Sequence, residues 1–283
     1  MISAIVPTHN RVAALEQCLA ALRRQTMPRD QYEIIIIDDS SADGTAAWLA
    51  AQSDLVTLRT AHRGAAAARN VGARQARGAL LAFTDDDCVA PPDWLSALQR
   101  ELLTCDVVGG RVVNAVRDNG CAETAQAIIQ MLSDELNVTL RDGGMLTSNN
   151  VAYRREAFMA AGGFDERFTI GGEDRELHYR LWRRGASLRY APHIVVAHHA
   201  HLTIRQFWRQ QFNYGRGAYH FYRTTPRPAH LPLQFYARLV ARMGQGQPIA
   251  RRAQMLSCLV WSQAAVLCGY WARALESLGE LTT

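Results

Sequence analysis

An α/β fold around a largely parallel sheet is what this sequence predicts, and three observations predict it. Strand-like and helix-like segments alternate four times in roughly the first 85 residues, the pattern of right-handed βαβ units. Two of the strand-like runs, Glu33-Ile-Ile-Ile-Ile-Asp-Asp39 and Leu80-Leu-Ala-Phe-Thr-Asp-Asp-Asp87, are continuously apolar and then run into carboxylates. Parallel strands covered on both faces read that way, and ligands of open α/β sheets bind at the carboxyl ends of the strands. The first strand is followed by Pro7-Thr-His-Asn-Arg11 and not by Gly-x-Gly-x-x-Gly, which argues against a dinucleotide-dependent dehydrogenase.

The elements follow in order. Residues 2–6 form a short apolar strand, and Val12, Leu15, Leu19 and Leu22 mark a helix over 12–25. The isoleucine run is the second strand. Ser40-Ser-Ala-Asp-Gly-Thr45 supplies turn and capping residues, then a helix through Trp48 and a strand over 56–59. Gly64-Ala-Ala-Ala-Ala-Arg69 opens a helix of small residues that feeds the Leu80 strand. Pro91-Pro-Asp-Trp94 opens a helix to Leu103, and 107–116 is a strand pair or one bent strand. Residues 118–146 are polar and Gly-containing, with a helical piece over 125–132; a connection of that length suits a lid or acceptor site. A strand over 148–154, a helix over 155–161 and a helix from Glu173 come next. Ser187 to Tyr190 begins one strand, and Ile194-Val-Val-Ala-His-His-Ala-His201 reads as another. Pro226, Pro228 and Pro232 mark a linker before two helical segments, 233–243 and 249–277.

Composition narrows the function. The chain has 283 residues, 48% hydrophobic and 20% charged, with a net charge of +5. All 31 of its cationic Lys/Arg side chains are arginine, which suits bidentate phosphate recognition. No basic patch interleaved with aromatics forms a nucleic-acid motif, so nucleic acid is not an expected partner. Six cysteines without a Cys-x-x-Cys pair point to a reduced, cytoplasmic setting. The N-terminus lacks a basic start and meets Pro7 and Asn10 early, so no signal peptide is expected. Residues 255–271 carry no charge and are flanked by Arg251, Arg252 and Arg273. That composition suits a core or interfacial helix, one able to touch an anionic membrane peripherally.

The chemistry-bearing residues are acids. Three adjacent carboxylates, Asp85 to Asp87, repel one another, and a divalent cation with hard oxygen ligands would offset that. Glu173 and Asp174 stand at a helix start, where the positive helix end favours ionised carboxylates. Three histidines, His198, His199 and His201, at a strand end are candidates for an added metal ligand.

Seven stretches, in order, resemble the family 2 glycosyltransferases: Ile5-Val-Pro-Thr-His-Asn-Arg11, Ile35-Ile-Ile-Asp-Asp-Ser-Ser-Ala-Asp-Gly-Thr45, Ala68-Arg-Asn-Val-Gly72, Phe83-Thr-Asp-Asp-Asp87, Asn150-Val-Ala-Tyr-Arg-Arg-Glu-Ala-Phe158, Gly162-Gly-Phe-Asp-Glu166 and Gly172-Glu-Asp-Arg-Glu-Leu177. The resemblance implies the GT-A fold, a Rossmann-like mixed sheet flanked by helices. It implies a glycosyltransferase domain over 1–220, divided into a nucleotide-sugar half (1–115) and an acceptor half (116–220). A helical extension follows over 221–283. By resemblance, Pro7, Thr8, Arg11, Asp39, Arg69, Asp85 and Asp86 line the nucleotide site. Asp87 and Asp85 match the Asp-x-Asp element that holds Mn2+ or Mg2+, with His199 chosen as the added ligand and His198 and His201 left open. Asp174 matches the catalytic base of an inverting transfer, with Glu173 beside it. Asn150, Gly172, Arg205 and Arg209 are assigned to the acceptor. The donor implied is a UDP- or GDP-sugar, and the acceptor a glycan or glycolipid of polysaccharide or glycolipid biosynthesis; a lipid-linked acceptor and peripheral contact with the cytoplasmic face of a membrane are expected from the basic, aromatic C-terminal helices. The processive Gln-x-x-Arg-Trp element is only echoed by Arg205-Gln-Phe-Trp-Arg209, so one sugar per encounter is expected. Two rivals are a catalytically silent nucleotide-sugar-binding subunit and a nucleotidyltransferase. The second would want a glycine-rich phosphate loop after the first strand.

Overall fold

The computed structural model of the chain describes residues 1–168, 171–225, 233–246 and 248–280. The strands are β1 (Ile2–Thr8), β2 (Tyr32–Asp38), β3 (Val56–Arg59), β4 (Leu80–Phe83), β5 (Cys88–Val89), β6 (Val107–Asn114), β7 (Val151–Arg154) and β8 (Leu188–His198). The helices are α1 (Val12–Arg23), α2 (Thr45–Ala50), α3 (Ala65–Gln75), α4 (Trp94–Glu101), α5 (Gly120–Leu136), α6 (Arg155–Ala160), α7 (Glu173–Arg183), α8 (Ile204–Thr224), α9 (Leu233–Gly244) and α10 (Ile249–Glu280). Two compact units emerge. One takes in 1–113, 135–168 and 173–199; the other takes in 114–134, 171–172 and the described residues from 200 onward.

The first unit is built on one eight-stranded sheet with the order β3-β2-β1-β4-β7-β6-β8-β5. β1 pairs in parallel with β2 and β4, and β2 with β3. The direction reverses at β7, antiparallel to β4 and β6, so the sheet is mixed. Alternation sorts its side chains onto two faces. Ile2, Ala4, Val6, Ile34 and Ile36 pack with Leu15, Leu19 and Leu22 of α1 and with Trp94, Leu95 and Leu98 of α4. Ile5, Ile35, Ile37 and Phe83 face α3, Phe158 of α6, and Leu177 and Leu181 of α7. All four isoleucines of β2 are fully buried; each contributes about 1.5–3 kcal/mol of burial. Three parallel strands thus bring the ends of β1, β2 and β4 to one rim, which is where the acids lie.

Two features differ from the sequence expectation. Residues 188–198 make one strand, not two, although Pro192 lies inside it. β5 pairs with β8 only at Ala197 and His198, so the edge at the exposed Pro192 has no bond from β5 to lose. α5 is 17 residues long, against the eight or so expected. Its start is set by Asn119, whose side-chain oxygen accepts from the amide of Ala122 at 2.9 Å, an N-cap bond. The proline-marked linker at Pro226, Pro228 and Pro232 lies outside the described residues. α8 runs unbroken from Ile204 to Thr224, through the expected domain boundary at 220.

The second unit is helical. Met131 of α5, Phe235, Leu239 and Met243 of α9, and Met255 and Leu259 of α10 form its core. α8 and α10 meet backbone to backbone: a Cβ on Gly215 would collide with the carbonyl of Val266, and one on Gly269 with that of Phe212. Polar links stitch the same seam, Ser262 donating to Gln211 at 2.8 Å and Arg216 pairing with Glu276 at 2.6 Å.

Candidate active site

The acids at the rim are held by partners from neighbouring strands. Because β1 and β4 are parallel and adjacent, the Thr8 hydroxyl donates to Asp86 Oδ2 at 2.7 Å. Arg11, just beyond β1, donates from Nη1 to Asp86 Oδ1 at 3.2 Å and to Asp87 Oδ2 at 2.8 Å. The β5–β8 pairing sets Cys88 opposite His198. That register brings His198 Nε2 to 3.3 Å from Asp87 Oδ1, while His199 gives only its backbone N–H, to the Asp87 carbonyl at 2.8 Å. The histidine side chain at Asp87 is therefore His198, in place of the His199 expected. Successive residues of a strand point to opposite faces, so one residue of register decides it. His201 falls in the other unit and is exposed.

Arg69 of α3 is buried, 3% exposed. Its Nη2 reaches Asp85 Oδ1 at 2.6 Å and its Nη1 reaches Glu173 Oε1 at 2.9 Å. One guanidinium thus joins the acid cluster after β4 to the first turn of α7. The expected nucleotide ligand Arg69 spends two of its nitrogens on protein carboxylates. Glu173 Oε2 is buried with no hydrogen-bond partner among the described residues. Asp174 accepts from the amides of Arg175 at 2.8 Å and Ser148 at 3.3 Å.

The charge states follow from burial and these neighbours. Burial, with the nearby Asp87 charge, pushes the Asp86 carboxyl up to about 6 against the pull of Arg11 and Thr8. Asp87 is also buried, yet its bond to His198 and the charges of His198 and Arg11 outweigh this and hold it below the usual range. Burial and the Asp174 charge push Glu173 up to about 7, with Arg69 opposing. Burial raises Asp174 as well, partly offset by the two amides.

At the end of β2, the Asp39 carboxylate accepts from the Thr60 hydroxyl at 2.6 Å and from the amides of Arg63 at 3.0 Å and Gly64 at 2.8 Å. Gly64 takes φ 89°, where a side chain would be strained, and so can start α3 there. Above this corner the rings of His9 and His62 stand 4.4 Å apart, and His9 Nδ1 lies 2.8 Å from the Asp39 carbonyl. Pro7 is buried within β1. The pair of imidazoles escaped the sequence reading. His62 has no motif around it, and its place depends on the loop that Asp39 pins.

Asn150 does not fit an acceptor role. It is fully buried. Its Oδ1 accepts from Trp94 Nε1 at 2.9 Å, and its Nδ2 donates to the carbonyls of Arg111 at 2.9 Å and Ile194 at 3.0 Å. Both donors are used inside the sheet, and no surface is left for a ligand. Gly172, at φ 95°, and the exposed Arg205 and Arg209 of α8 belong to the second unit.

The donor set fits a divalent cation. Ligand atoms of Asp87, Cys88 and His198 lie within 4.8 Å of one another; Asp85, whose Oδ1 is held by Arg69 Nη2 at 2.6 Å, stands outside that group. Burial pushes the Cys88 thiol up; the other two members offer carboxylate oxygen and one imidazole. Carboxylate oxygen with one imidazole is a donor set that suits a hard divalent ion such as Mn2+ or Mg2+.

Comparison with known proteins agrees with this fold. The family profile described as "Glycosyl transferase family 2" matches residues 3–162. Glycosyltransferase AglE of Haloferax volcanii is 28% identical over 228 residues, 76% of this chain and 72% of that protein. The pre-mycofactocin glycosyltransferase of Mycobacterium tuberculosis is 29% identical over 230 residues, 77% of this chain, which spans only 46% of that relative's length. Among solved structures, the mannosyltransferase PcManGT from Pyrobaculum calidifontis, in complex with GDP-Man and Mn2+, superposes with a TM-score of 0.66 at 19% identity, over 97% of this chain and 87% of that one. S. aureus TarS 1-349 in complex with UDP gives 0.57 at 18% identity, over 100% and 92%. These two likenesses establish the GT-A architecture. The profile, covering more than half of the sequence, makes this chain a member of glycosyl transferase family 2.

Proposed function

We propose that this glycosyltransferase moves a sugar from a nucleoside-diphosphate donor to an acceptor hydroxyl with inversion at the anomeric carbon. One observation carries the reading. Through Arg69, Asp85 of the acid cluster after β4 and Glu173 in the first turn of α7 sit on the same guanidinium, at 2.6 and 2.9 Å. Two carboxylate groups suited to different tasks therefore share one site. Asp87, His198 and Asp85 would hold the divalent ion, which supplies positive charge against the departing diphosphate. Asp174 accepts the proton of the acceptor hydroxyl as its oxygen bonds to the anomeric carbon and the bond to the diphosphate breaks. The amides of Ser148 and Arg175 orient that carboxylate. Its raised pKa makes it a stronger base than an exposed aspartate. GDP-Man and UDP in the two solved relatives support a GDP- or UDP-sugar as donor.

Asp174→Asn tests the assignment. Turnover should fall about 10²–10⁴-fold, while nucleoside diphosphate with Mn2+ still raises the melting temperature. Unchanged turnover in Asp174→Asn would remove Asp174 from the role, and no turnover in the parent protein with any nucleotide sugar would favour a silent binding subunit. The same thermal-shift measurement, run with UDP, GDP and TDP, identifies the base.

The acceptor side of the reading rests on α10. Val260, Trp261, Leu267, Trp271 and Leu275 are each more than half exposed, and the helix is long and apolar enough to cross a membrane. Its other face is tied to α8 through the Arg216–Glu276 pair, which would be costly inside a bilayer. A helix lying in the plane of an anionic cytoplasmic leaflet, near a lipid-linked acceptor, fits both facts. Failure of the full chain to sediment with anionic vesicles would refute this part.

A further inference from the structure

We infer that Arg11 is a resident counter-ion of the acid cluster, which the divalent ion displaces and thereby frees for the donor diphosphate. The inference rests on the metal-dependent reading above and concerns what holds the site before the ion arrives. Both carboxylate oxygens of Asp87 are engaged: Oδ2 by Arg11 Nη1 at 2.8 Å and Oδ1 by His198 Nε2 at 3.3 Å. The same Arg11 nitrogen also reaches Asp86 Oδ1 at 3.2 Å. An ion that binds through Asp87 competes with both partners for the carboxylate lone pairs and repels the Arg11 charge beside it.

The two partners are not equivalent. The imidazole nitrogen of His198 is itself a ligand atom, so it can stay in place and change role. A guanidinium has no lone pair to offer and does not lose its proton in proteins, so Arg11 can only leave. Its surroundings let it. The Arg11 side chain is 54% exposed, whereas that of Arg69, the other cation on the cluster, is 4% exposed and fixed between two acids. The Arg11 backbone is anchored by its carbonyl, which accepts from the amides of Ala14 and Leu15 at the start of α1. Only the side chain swings, and it swings about a fixed point at the rim. Once released, its planar fork is suited to two phosphate oxygens at once. Metal binding and nucleotide binding would then be coupled through one side chain, and such coupling is reciprocal.

The experiment measures Mn2+ binding from the electron paramagnetic resonance of the free ion, and UDP and GDP binding by calorimetry with and without Mn2+. The full chain is compared with Arg11→Gln, Arg11→Lys and Asp87→Asn. Losing a competing ion pair whose arginine is half-exposed should tighten Mn2+ binding by Arg11→Gln, without nucleotide, about two- to fivefold. Nucleotide affinity should fall about tenfold in the presence of Mn2+ and stay unchanged in its absence, because the parent Arg11 is occupied there. Arg11→Lys, which keeps the charge, should bind Mn2+ as the parent does. Unchanged or weaker Mn2+ binding by Arg11→Gln would overturn the inference. So would an equal loss of nucleotide affinity with and without Mn2+, which describes a simple phosphate ligand. Asp87→Asn separates the two levels: if it binds Mn2+ like the parent, the metal site itself is wrong. If it loses Mn2+ while Arg11→Gln gains nothing, only the role of Arg11 fails.

Discussion

Replacing Arg69 by methionine tests the bridge on which the site is organised. Methionine keeps the bulk of the stem and removes the guanidinium. Two losses result, and they depend differently on pH. The first is the loss of bonds at 2.6 and 2.9 Å to Asp85 and Glu173 and of the guanidinium's stacking on Phe164, 5.7 Å from the ring centre. Together these are worth about 2 kcal/mol after allowing for lost hydration. The second is electrostatic. Glu173 ionises near 7 in the folded protein with Arg69 beside it. Without Arg69 it stays neutral, and at pH 8, one unit above that value, holding it neutral costs about 1.4 kcal/mol more. At pH 5 Glu173 is protonated in both proteins and the second loss vanishes. The expected deficit is about 3 kcal/mol at pH 8, at the low end for breaking a buried pair, and about 2 kcal/mol at pH 5. At about 2–4 °C per kcal/mol, calorimetric scans should show a melting temperature lower by roughly 6–12 °C at pH 8 and by less at pH 5. A deficit that is larger at pH 5, or under about 2 °C at both, would refute the bridge as the element that keeps Glu173 ionisable.

Other expectations follow from the same structure. The folded pKa of Glu173 lies above its ordinary value of 4.5, so the folded state holds the extra proton, and stability present below pH 4.5 is lost as pH rises through 7. Glu173→Gln should remove roughly 2 kcal/mol of the decline between pH 5 and 7, read from urea unfolding at the two values. A Cβ on Gly72 would stand 2.6 Å from Ile5 Cγ2 and 2.7 Å from Ile37 Cδ1. Gly72→Ala should therefore cost about 1–3 kcal/mol despite about 1 kcal/mol of gained helix propensity, and a rise in melting temperature would contradict the packing of α3 on β1 and β2. The Cys121 and Cys258 sulfurs lie 3.7 Å apart. Glutathione disulfide should take two electrons from them, giving an intramolecular disulfide and two glutathione thiols. Burial and the neighbouring thiol push Cys121 up to about 11, so the bond should form slowly at pH 7 and faster at pH 9. Peptide mapping that finds no 121–258 link at pH 9 would count against the placement of α5 on α10.

Much of the first unit could be read from the chain because its physics is local. β1, β2 and β4 announce themselves as unbroken apolar runs, since a strand covered on both faces has no polar side to show. The acids at their ends lie where such strands surface. Other features depend on contacts far apart in sequence. Whether residue 198 or 199 turns toward Asp87 is fixed by the pairing of a two-residue strand 110 positions earlier, and nothing near the histidines encodes it. Asn150 sits in a motif and reads as a ligand, yet its amide is spent holding Trp94 and two carbonyls within the sheet. The start of α5 carries a local signal in its Asn119 cap, masked by glycine at 120 and the polar residues around it. Arg11 and Arg69 are both arginines in motifs. Only burial distinguishes the one that can move from the one that cannot.

The glycine contacts between α8 and α10 carry a mechanical consequence. Where two helices touch through side chains, one can slip along the other by letting rotamers change. Here carbonyls face bare α-carbons at Gly215 and Gly269, with no compliant layer between them. The pair should behave as a splint that tilts as one piece and does not shear, so whatever rests on the outer side of α10 is registered without slack at α8.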